Sequence, residues 1–378
     1  MKETSLYIHI PFCVSKCYYC DFSSFANMND KIDIYINSLI RELRLYKQIL
    51  KNYTIKTIFI GGGTPSCIDP KYIYKILEFI NINFNVMTQN EVTIEANPGT
   101  LDKEKIKIYK DAGINRVSMG AQTLDNNLLK SIGRAHKVED LYTSFELLRS
   151  ANINNINIDL MFGLPNQSID NVMDSLKRVI ELKIEHISYY GLILEEGTYL
   201  NRLFNEGKVI LPSEDDERLM YHKATEYLIK NGYNHYEISN YSLPTYECKH
   251  NLVYWDVLSY LGVGLSSHSN MENKRFWNTS DMSLYIESLN NNKLPIEGEE
   301  IINRETEISE FCILGLRKIS GINKIEFRNR FKIEIEELYK EIMKKHEKNG
   351  LISSSSESIQ LTKKGLDLSN LVEVDFFK

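Results

Sequence analysis

The chain has 378 residues, 45 Lys+Arg against 51 Asp+Glu, and a formal net charge of -6. Hydrophobic residues at 43% and charged residues at 25% exclude a disordered chain too poor in apolar surface to fold. The length suggests two or three domains, and the mildly acidic balance exerts no general pull on nucleic acid or anionic membrane.

Leu6 to Ile10 reads as a strand, and Ile32, Ile36, Leu39, Ile40, Leu43 and Tyr46 follow at helical spacing. Ile55 to Ile60 is a β-rich run that ends in Gly61-Gly62-Gly63, with a helix pattern from Asp69. Val92 to Ala96 is the next strand, and Thr100 offers an N-cap for a helix stopping near Gly113. Arg116 to Gly120, Ile156 to Leu160 and His186 to Leu192 continue the series. Six strands alternating with helices predict right-handed βαβ units and a parallel sheet, short of a complete eight-unit barrel. Beyond residue 195 the rhythm changes. Ser213 caps a helix running to Asn231, Tyr236 to Asn278 is dense in aromatic residues, His and Gly, and Asn290 to Gly298 reads as a linker. From Glu305, helices alternate with short apolar pieces, and the run Ser353 to Ser356 reads as a hairpin turn. No apolar run approaches the roughly 20 residues of a membrane span. Cys13 comes too early for a signal peptide to precede it, so a cytoplasmic protein with reduced thiols is expected.

Cys13, Cys17 and Cys20 crowd into one loop opened by Pro11, directly after the first strand. Three thiolates so close read as a soft-metal site, either zinc or iron–sulfur. Structural zinc needs a fourth ligand, and Cys20 is followed by Asp21 and Phe22. A four-iron cluster held by three thiolates would leave one iron with an open coordination position. The other three cysteines read as packing thiols, Cys67 and Cys312 on predicted helices and Cys248 two residues before His250.

The run Tyr7-Ile8-His9-Ile10-Pro11-Phe12-Cys13 through Cys17-Tyr18-Tyr19-Cys20 closely resembles radical S-adenosylmethionine (SAM) proteins. More narrowly, it is similar to the oxygen-independent coproporphyrinogen III oxidase family. The resemblance implies a partial (β/α)6 TIM-like barrel, a [4Fe-4S] cluster on Cys13, Cys17 and Cys20, and SAM at its open iron. Gly61-Gly62-Gly63-Thr64 follows a strand and precedes a helix; glycines there permit close backbone approach and present N–H groups to a carboxylate or ribose. Glu95, Gln122 and Asp159 occupy strand ends, which face the site in barrels of this kind. By the family pattern Tyr7, Gly62 and Glu95 line the cluster-bound SAM. Tyr19, Gly63, Thr64, Gln122, Arg134 and Asp159 match positions lining a second SAM in the decarboxylating enzyme.

The resemblance covers nearly the whole chain, including Asp159 to Pro165, Tyr236 to Asn240, and Leu261 to Gly264 with His268. Two features choose among its branches. The decarboxylating enzyme carries a fourth cysteine two residues after the third, where this chain has Phe22. His250-Asn251-Leu252-Val253-Tyr254-Trp255 matches an HNxxYW motif of the haem-chaperone branch. An imidazole is a standard axial ligand of haem iron, and Tyr254 and Trp255 offer flat apolar surface for a porphyrin. The resemblance therefore implies a protein that binds haem through His250 and passes it from a haem donor to client haemoproteins. Membrane respiratory complexes are the expected clients, reached by transient membrane contact. The alternative is oxidative decarboxylation of coproporphyrinogen III.

The expected organisation is a radical SAM core over 1–194, an α+β extension over 195–300 carrying the HNxxYW motif, and a winged-helix-like domain over 301–378. Lys324, Arg328, Arg330 and Lys332 of that tail are interleaved with Glu326, Glu334, Glu336 and Glu337. This mixture argues against a nucleic-acid partner, which would need a clustered basic recognition helix.

Overall fold

Alternation of apolar and polar residues sets the frame of the molecule, a computed structural model describing residues 1–377. Six strands run parallel and adjacent in chain order: β1 (Lys2–Ile10), β2 (Tyr53–Gly62), β3 (Asn85–Ala96), β4 (Arg116–Gln122), β5 (Ile156–Phe162) and β6 (His186–Gly191). Between them lie helices α1 (Ile32–Tyr46), α2 (Pro70–Asn83), α3 (Lys103–Asp111), α4 (Asn126–Ser131), α5 (Val138–Ser150) and α6 (Ile169–Glu181). Val117 and Met119 of β4, with Ile158 and Leu160 of β5, are fully buried beside Tyr109, Leu148 and Leu176 from the helices. The alternate residues Ser118, Asn157 and Asp159 face the opposite side of the sheet and line a cavity, as the period of two requires. Asp102, not Thr100, caps α3, accepting from Lys105 N at 2.8 Å. The Thr100 hydroxyl is turned back to donate to the Asn97 carbonyl at 2.6 Å.

A parallel sheet of six strands leaves two edges of unpaired backbone groups, and the chain after residue 194 covers both. After α7 (Tyr199–Asn205) and α8 (Glu214–Lys230), strands β7 (Asn234–Glu237) and β8 (Asn240–Ser242) form a hairpin that pairs antiparallel with β6. After α9 (Lys249–Trp255), strand β9 (Tyr260–Val263) joins the other edge parallel to β1, with Tyr7 opposite Gly262. Then β10 (His268–Met271), β11 (Lys274–Asn278), helix α10 (Met282–Asn290) and β12 (Ile296–Ile301) complete a twelve-stranded sheet of order β12-β11-β10-β9-β1-β2-β3-β4-β5-β6-β8-β7. The expected linker at Asn290 to Gly298 is thus bounded by regular structure at both ends. Its first residue ends α10, and its last three begin the edge strand β12, which pairs with β11.

The last segment builds its own core. Helices α11 (Arg304–Arg317) and α12 (Lys324–Phe331) pack Phe311, Phe327 and Phe331 together, and α13 (Ile335–Lys348) adds Ile335, Tyr339 and Met343 to the same core. Strands β13 (Ile322–Asn323), β14 (Ile352–Ser354) and β15 (Ser358–Leu361) form a small antiparallel sheet whose hairpin turns at Ser355. Lys324, Arg328 and Arg330 pair with Glu336, Glu334 and Glu307. Arg330 also donates to the carbonyls of Asp256 and Val257 just beyond α9, and Lys318 pairs with Asp256. Among the described residues no helix is long and apolar enough to cross a membrane.

Candidate functional site

Cys13, Cys17 and Cys20 sit on a loop drawn tight at its base, where Phe12–Cys13 pairs with Phe25–Ala26 and Phe25 N donates to Pro11 O at 2.7 Å. The three half-buried thiols border one cavity of about 130 Å³ with Gly63, Thr64 and Arg134. Among the described residues, no three His, Cys, Asp or Glu side chains converge closely enough to hold one metal ion. Thiols ranged around a cavity suit a multi-atom cluster better than a single zinc, whose ligands must all reach about 2.3 Å. Cys17 Sγ accepts from the Arg134 guanidinium at 3.4 Å, and Cys13 Sγ accepts from the Thr64 hydroxyl at 3.7 Å. Burial pushes the Cys13 and Cys20 thiols up, so cationic iron is the partner that would hold them as thiolates.

The glycine turn serves this loop rather than presenting free donors. Gly62 N donates to Glu95 Oε2 at 3.0 Å, Gly63 N to Ile10 O at 2.9 Å, and Thr64 N to Phe12 O at 2.8 Å. The expectation of N–H groups open to a ligand is therefore corrected: protein acceptors take all three. Glycine is needed for space. A Cβ on Gly63 would lie 2.6 Å from Phe12 O and 3.0 Å from Cys13 Sγ, and Gly62 holds φ at +114° against the His9 ring.

Tyr7 and Glu95 stand behind the turn. His9 Nε2 donates to the Ser23 carbonyl at 2.8 Å, which leaves Nδ1 to accept from Tyr7 OH at 3.0 Å. This imidazole ties the first strand to the end of the cysteine loop. Burial pushes Glu95 up to about 8, with the nearby Asp159 carboxylate adding to the rise and the Gly62 N–H opposing it. Asp159 is likewise raised by burial, although Asn157, Ser188 and Ser118 favour its charged form. Arg134 Nη2 donates to Asn97 Oδ1 at 2.6 Å and to the Gly120 carbonyl. Gln122 ends β4 at a register shift with φ of 66°, a conformation a non-glycine residue adopts only under local constraint. Tyr19 is raised by burial, against the neighbouring Arg134 charge. All of Tyr19, Gly62, Gly63, Thr64, Glu95, Gln122, Arg134 and Asp159 border the cluster cavity. Tyr7 borders the adjoining one.

That adjoining cavity, of about 560 Å³, runs inward from Tyr19 and Phe22 to Tyr7, Phe59 and the α9 residues His250, Asn251 and Tyr254. Glu91 of β3 secures α9, accepting from His250 N at 3.1 Å and Lys249 N at 3.2 Å. The Thr57 hydroxyl donates to Ser5 Oγ at 2.8 Å, so His250 Nδ1 at 2.7 Å is the donor to Thr57. Nε2 then accepts from Tyr254 OH at 2.9 Å, one helical turn on. The imidazole is 1% exposed and pushed down to about 3, by burial and then by the Arg116 charge. It is neutral, with its one free lone pair covered by a hydroxyl. Trp255 corrects the expected porphyrin surface. It lies one residue round the helix and stacks under the Arg317 guanidinium at 4.5 Å, away from the cavity. His268 stacks on Trp277 at the sheet's far side, and the Cys248 thiol is buried near Glu91 at 3.7 Å. Cys67 lies on a single 3-10 turn and donates to Phe12 O, while Cys312 packs in the C-terminal core.

Several cavity residues carry no motif and were missed from sequence. Asn157 donates to Asp159 Oδ1 at 2.6 Å and Ser118 Oγ at 2.7 Å, and it accepts from His186 Nδ1 at 2.6 Å. His186 Nε2 in turn accepts from Tyr236 OH at 2.7 Å. Arg116 lies beside them. Their signal was the strict alternation Arg-Val-Ser-Met-Gly-Ala-Gln and Ile-Asn-Ile-Asp-Leu along β4 and β5.

Residues 7–179 match the radical SAM superfamily, and residues 302–368 match the HemN C-terminal domain. The chain is 40% identical over 371 residues to heme chaperone HemW of Lactococcus lactis, covering 98% of this chain and 96% of that one. The chain belongs to the HemW family. It is also 37% identical to heme chaperone HemW of Bacillus subtilis, over 97% of each chain, and 37% identical to that of Escherichia coli over 71% and 70%. The structure of coproporphyrinogen III oxidase (HemN) from Escherichia coli superposes with a TM-score of 0.87 at 21% identity, over 100% of this chain and 90% of that one. That likeness establishes a shared radical SAM fold, and such a fold implies a [4Fe-4S] cluster with SAM.

Proposed function

We propose that the chain is a haem chaperone of the cytoplasm: it takes haem from a donor into the barrel cavity and delivers it to client haemoproteins, membrane respiratory complexes among them. The relatives' names support this, and so does one observation above all. His250 presents a neutral imidazole to a 560 Å³ cavity, and neutral imidazole is the form that ligates iron. On this reading Cys13, Cys17 and Cys20 hold a [4Fe-4S] cluster, with Tyr7, Gly62 and Glu95 around SAM. Tyr19, Gly63, Thr64, Gln122, Arg134 and Asp159 border the volume a second SAM would use. When bound, cluster and SAM supply one-electron reductive chemistry. The chain's own residues hold Arg134 against Cys17 and Thr64 against Cys13, and burial keeps Glu95 protonated until a ligand pairs with it.

Decarboxylation of coproporphyrinogen III is the competing reading, on the shared fold. Its motif support ends at Phe22, which stands 64% exposed at the position of the fourth cysteine. One anaerobic, cluster-reconstituted sample separates the two. Haem binding that falls in His250→Ala with cluster absorbance intact supports the chaperone. Unchanged haem affinity removes His250 from the account, and carbon dioxide released from coproporphyrinogen III with SAM and reductant establishes the enzyme.

A further inference from the structure

Arg116 opens β4 and is 2% exposed, yet its guanidinium forms no hydrogen bond or ion pair with any described residue. Other guanidinium groups near the barrel are engaged: Arg134 holds Asn97 and Gly120, and Arg149 pairs with Glu185 at 2.7 Å. The acidic groups nearest to Arg116 do not take it up. Glu91 is occupied by the N–H groups of Lys249 and His250, and Asp159 by Asn157 and Ser118. The Cys248 thiol, Glu91 and Asp159 favour its charge through space, but a buried guanidinium with no hydrogen-bond acceptor is unfavourable unless something outside the chain supplies one. Arg116 borders the 560 Å³ cavity together with the aromatic rings of Phe59 and Tyr254. Its planar fork of donors matches a carboxylate in bidentate fashion.

We propose that Arg116 anchors a carboxylate of the ligand that fills this cavity, so that the site selects a carboxylate-bearing tetrapyrrole over its neutral counterpart. Haem satisfies this through its propionates, so the inference rests on the haem reading and sharpens it. Polar anchor and apolar wall divide the work: Phe59 and Tyr254 meet the flat macrocycle, while Arg116 fixes its rotation in the plane.

The test uses the full chain with its cluster reconstituted. Three probes are titrated anaerobically: haem, haem dimethyl ester, and metal-free protoporphyrin IX with its acids free. The wild type should prefer haem to the ester by about tenfold or more, the worth of a charge-assisted hydrogen bond. Arg116→Met should bring haem down to the ester's affinity and leave the ester unchanged. Arg116→Lys, which keeps the charge and loses the fork, should fall between and guards against a misfolded Met variant. Equal binding of acid and ester by the wild type, or a preference that survives in Arg116→Met, overturns the assignment. So does a loss of SAM affinity in Arg116→Met with the porphyrin preference unchanged, which would move the carboxylate to SAM. If metal-free protoporphyrin shows the Arg116-dependent affinity and iron adds none, the anchor stands and haem as the ligand falls. Tight haem binding with no preference over the ester does the reverse: haem stands as the ligand and the anchor falls. Binding of neither porphyrin sinks both.

Discussion

Tyr254→Phe is expected to tighten haem binding while weakening the ligand-free fold. In the resting protein His250 Nδ1 is committed to Thr57 and Nε2 accepts from Tyr254 OH at 2.9 Å. Ligation of haem iron through Nε2 must first give up that hydroxyl. A buried neutral hydrogen bond is worth about 0.5–1.5 kcal/mol net, so its loss holds wild-type haem affinity down by about 2- to 10-fold. Phenylalanine removes the competitor and leaves the ring in place. Before haem arrives, the same change strands a buried acceptor, a cost of about 1–3 kcal/mol in unfolding free energy. The two measurements are a haem titration and a urea melt of the ligand-free protein, each against wild type. Because His250 is held down to about 3, the affinity gain should be the same at pH 6 and pH 8. A fall in haem affinity in Tyr254→Phe would refute competition for Nε2 and make the hydroxyl a haem contact instead. A gain present only at pH 8 would refute the neutral imidazole.

Three further outcomes are expected. Gly63→Ala places a methyl 2.6 Å from Phe12 O and 3.0 Å from Cys13 Sγ; iron and sulfide content after reconstitution should fall several-fold, and a full complement would show that the turn yields. Glu42 is buried under donors from Gly264, Asn278 and Tyr285 and pushed up to about 7, chiefly by burial. A carboxyl raised in the folded state stabilises fully below its unfolded value and loses that stabilisation as pH rises through its folded one. Over the window from 4.5 to about 7 that is about 3 kcal/mol at 1.36 kcal/mol per unit. The stability of wild type relative to Glu42→Gln should therefore fall between pH 4.5 and pH 8, and a pH-independent difference would show Glu42 ionised throughout. Arg317→Ala removes the partner of buried Glu237 and the cation over Trp255. It should cost about 1–3 kcal/mol and raise amide exchange in residues 234–242 and 249–255, whereas exchange confined to α11 would show that the contact carries no coupling.

The parts of the fold legible in the sequence are those whose signal is local. β1 to β6 each carry a consecutive or alternating run of apolar residues long enough to declare a strand, and the first five are followed by helical spacing such as Ile32 to Tyr46. The cysteine loop was legible because three thiolates within eight positions have few other uses. The strands that cover the sheet edges were not. β8 has three residues and β9 four, too short for periodicity to register, and their place is fixed by unpaired backbone on β6 and β1. The same absence of a local signal hid β12, whose Ile-Glu-Gly-Glu-Glu-Ile is polar because it is an exposed edge strand. Such a stretch reads as a loop until its partner is known.

The interior of the barrel was hidden for a different reason. Alternation tells which residues share a face and not which face meets water, so by pattern alone Arg116, Ser118 and Asn157 would pass for the solvated side of half-buried strands, whereas Asp159 is placed at the site only as a strand end. The helices reverse that reading: Val117 and Ile158 are buried with α3, α5 and α6, and the polar row is thereby forced inward. In an ordinary barrel that row would be bulky and apolar, filling the lumen. Here it is a guanidinium, a serine, an amide and a carboxyl around open volume. Their mutual hydrogen bonds satisfy the serine, the amide and the carboxyl but leave the guanidinium without a partner. The same logic divides the HNxxYW motif. His250 and Tyr254, four apart, share the lumen face of α9, while Trp255 turns to Arg317. The motif therefore does two things at once, supplying the cavity with its imidazole and fastening the helix that carries it to the C-terminal domain.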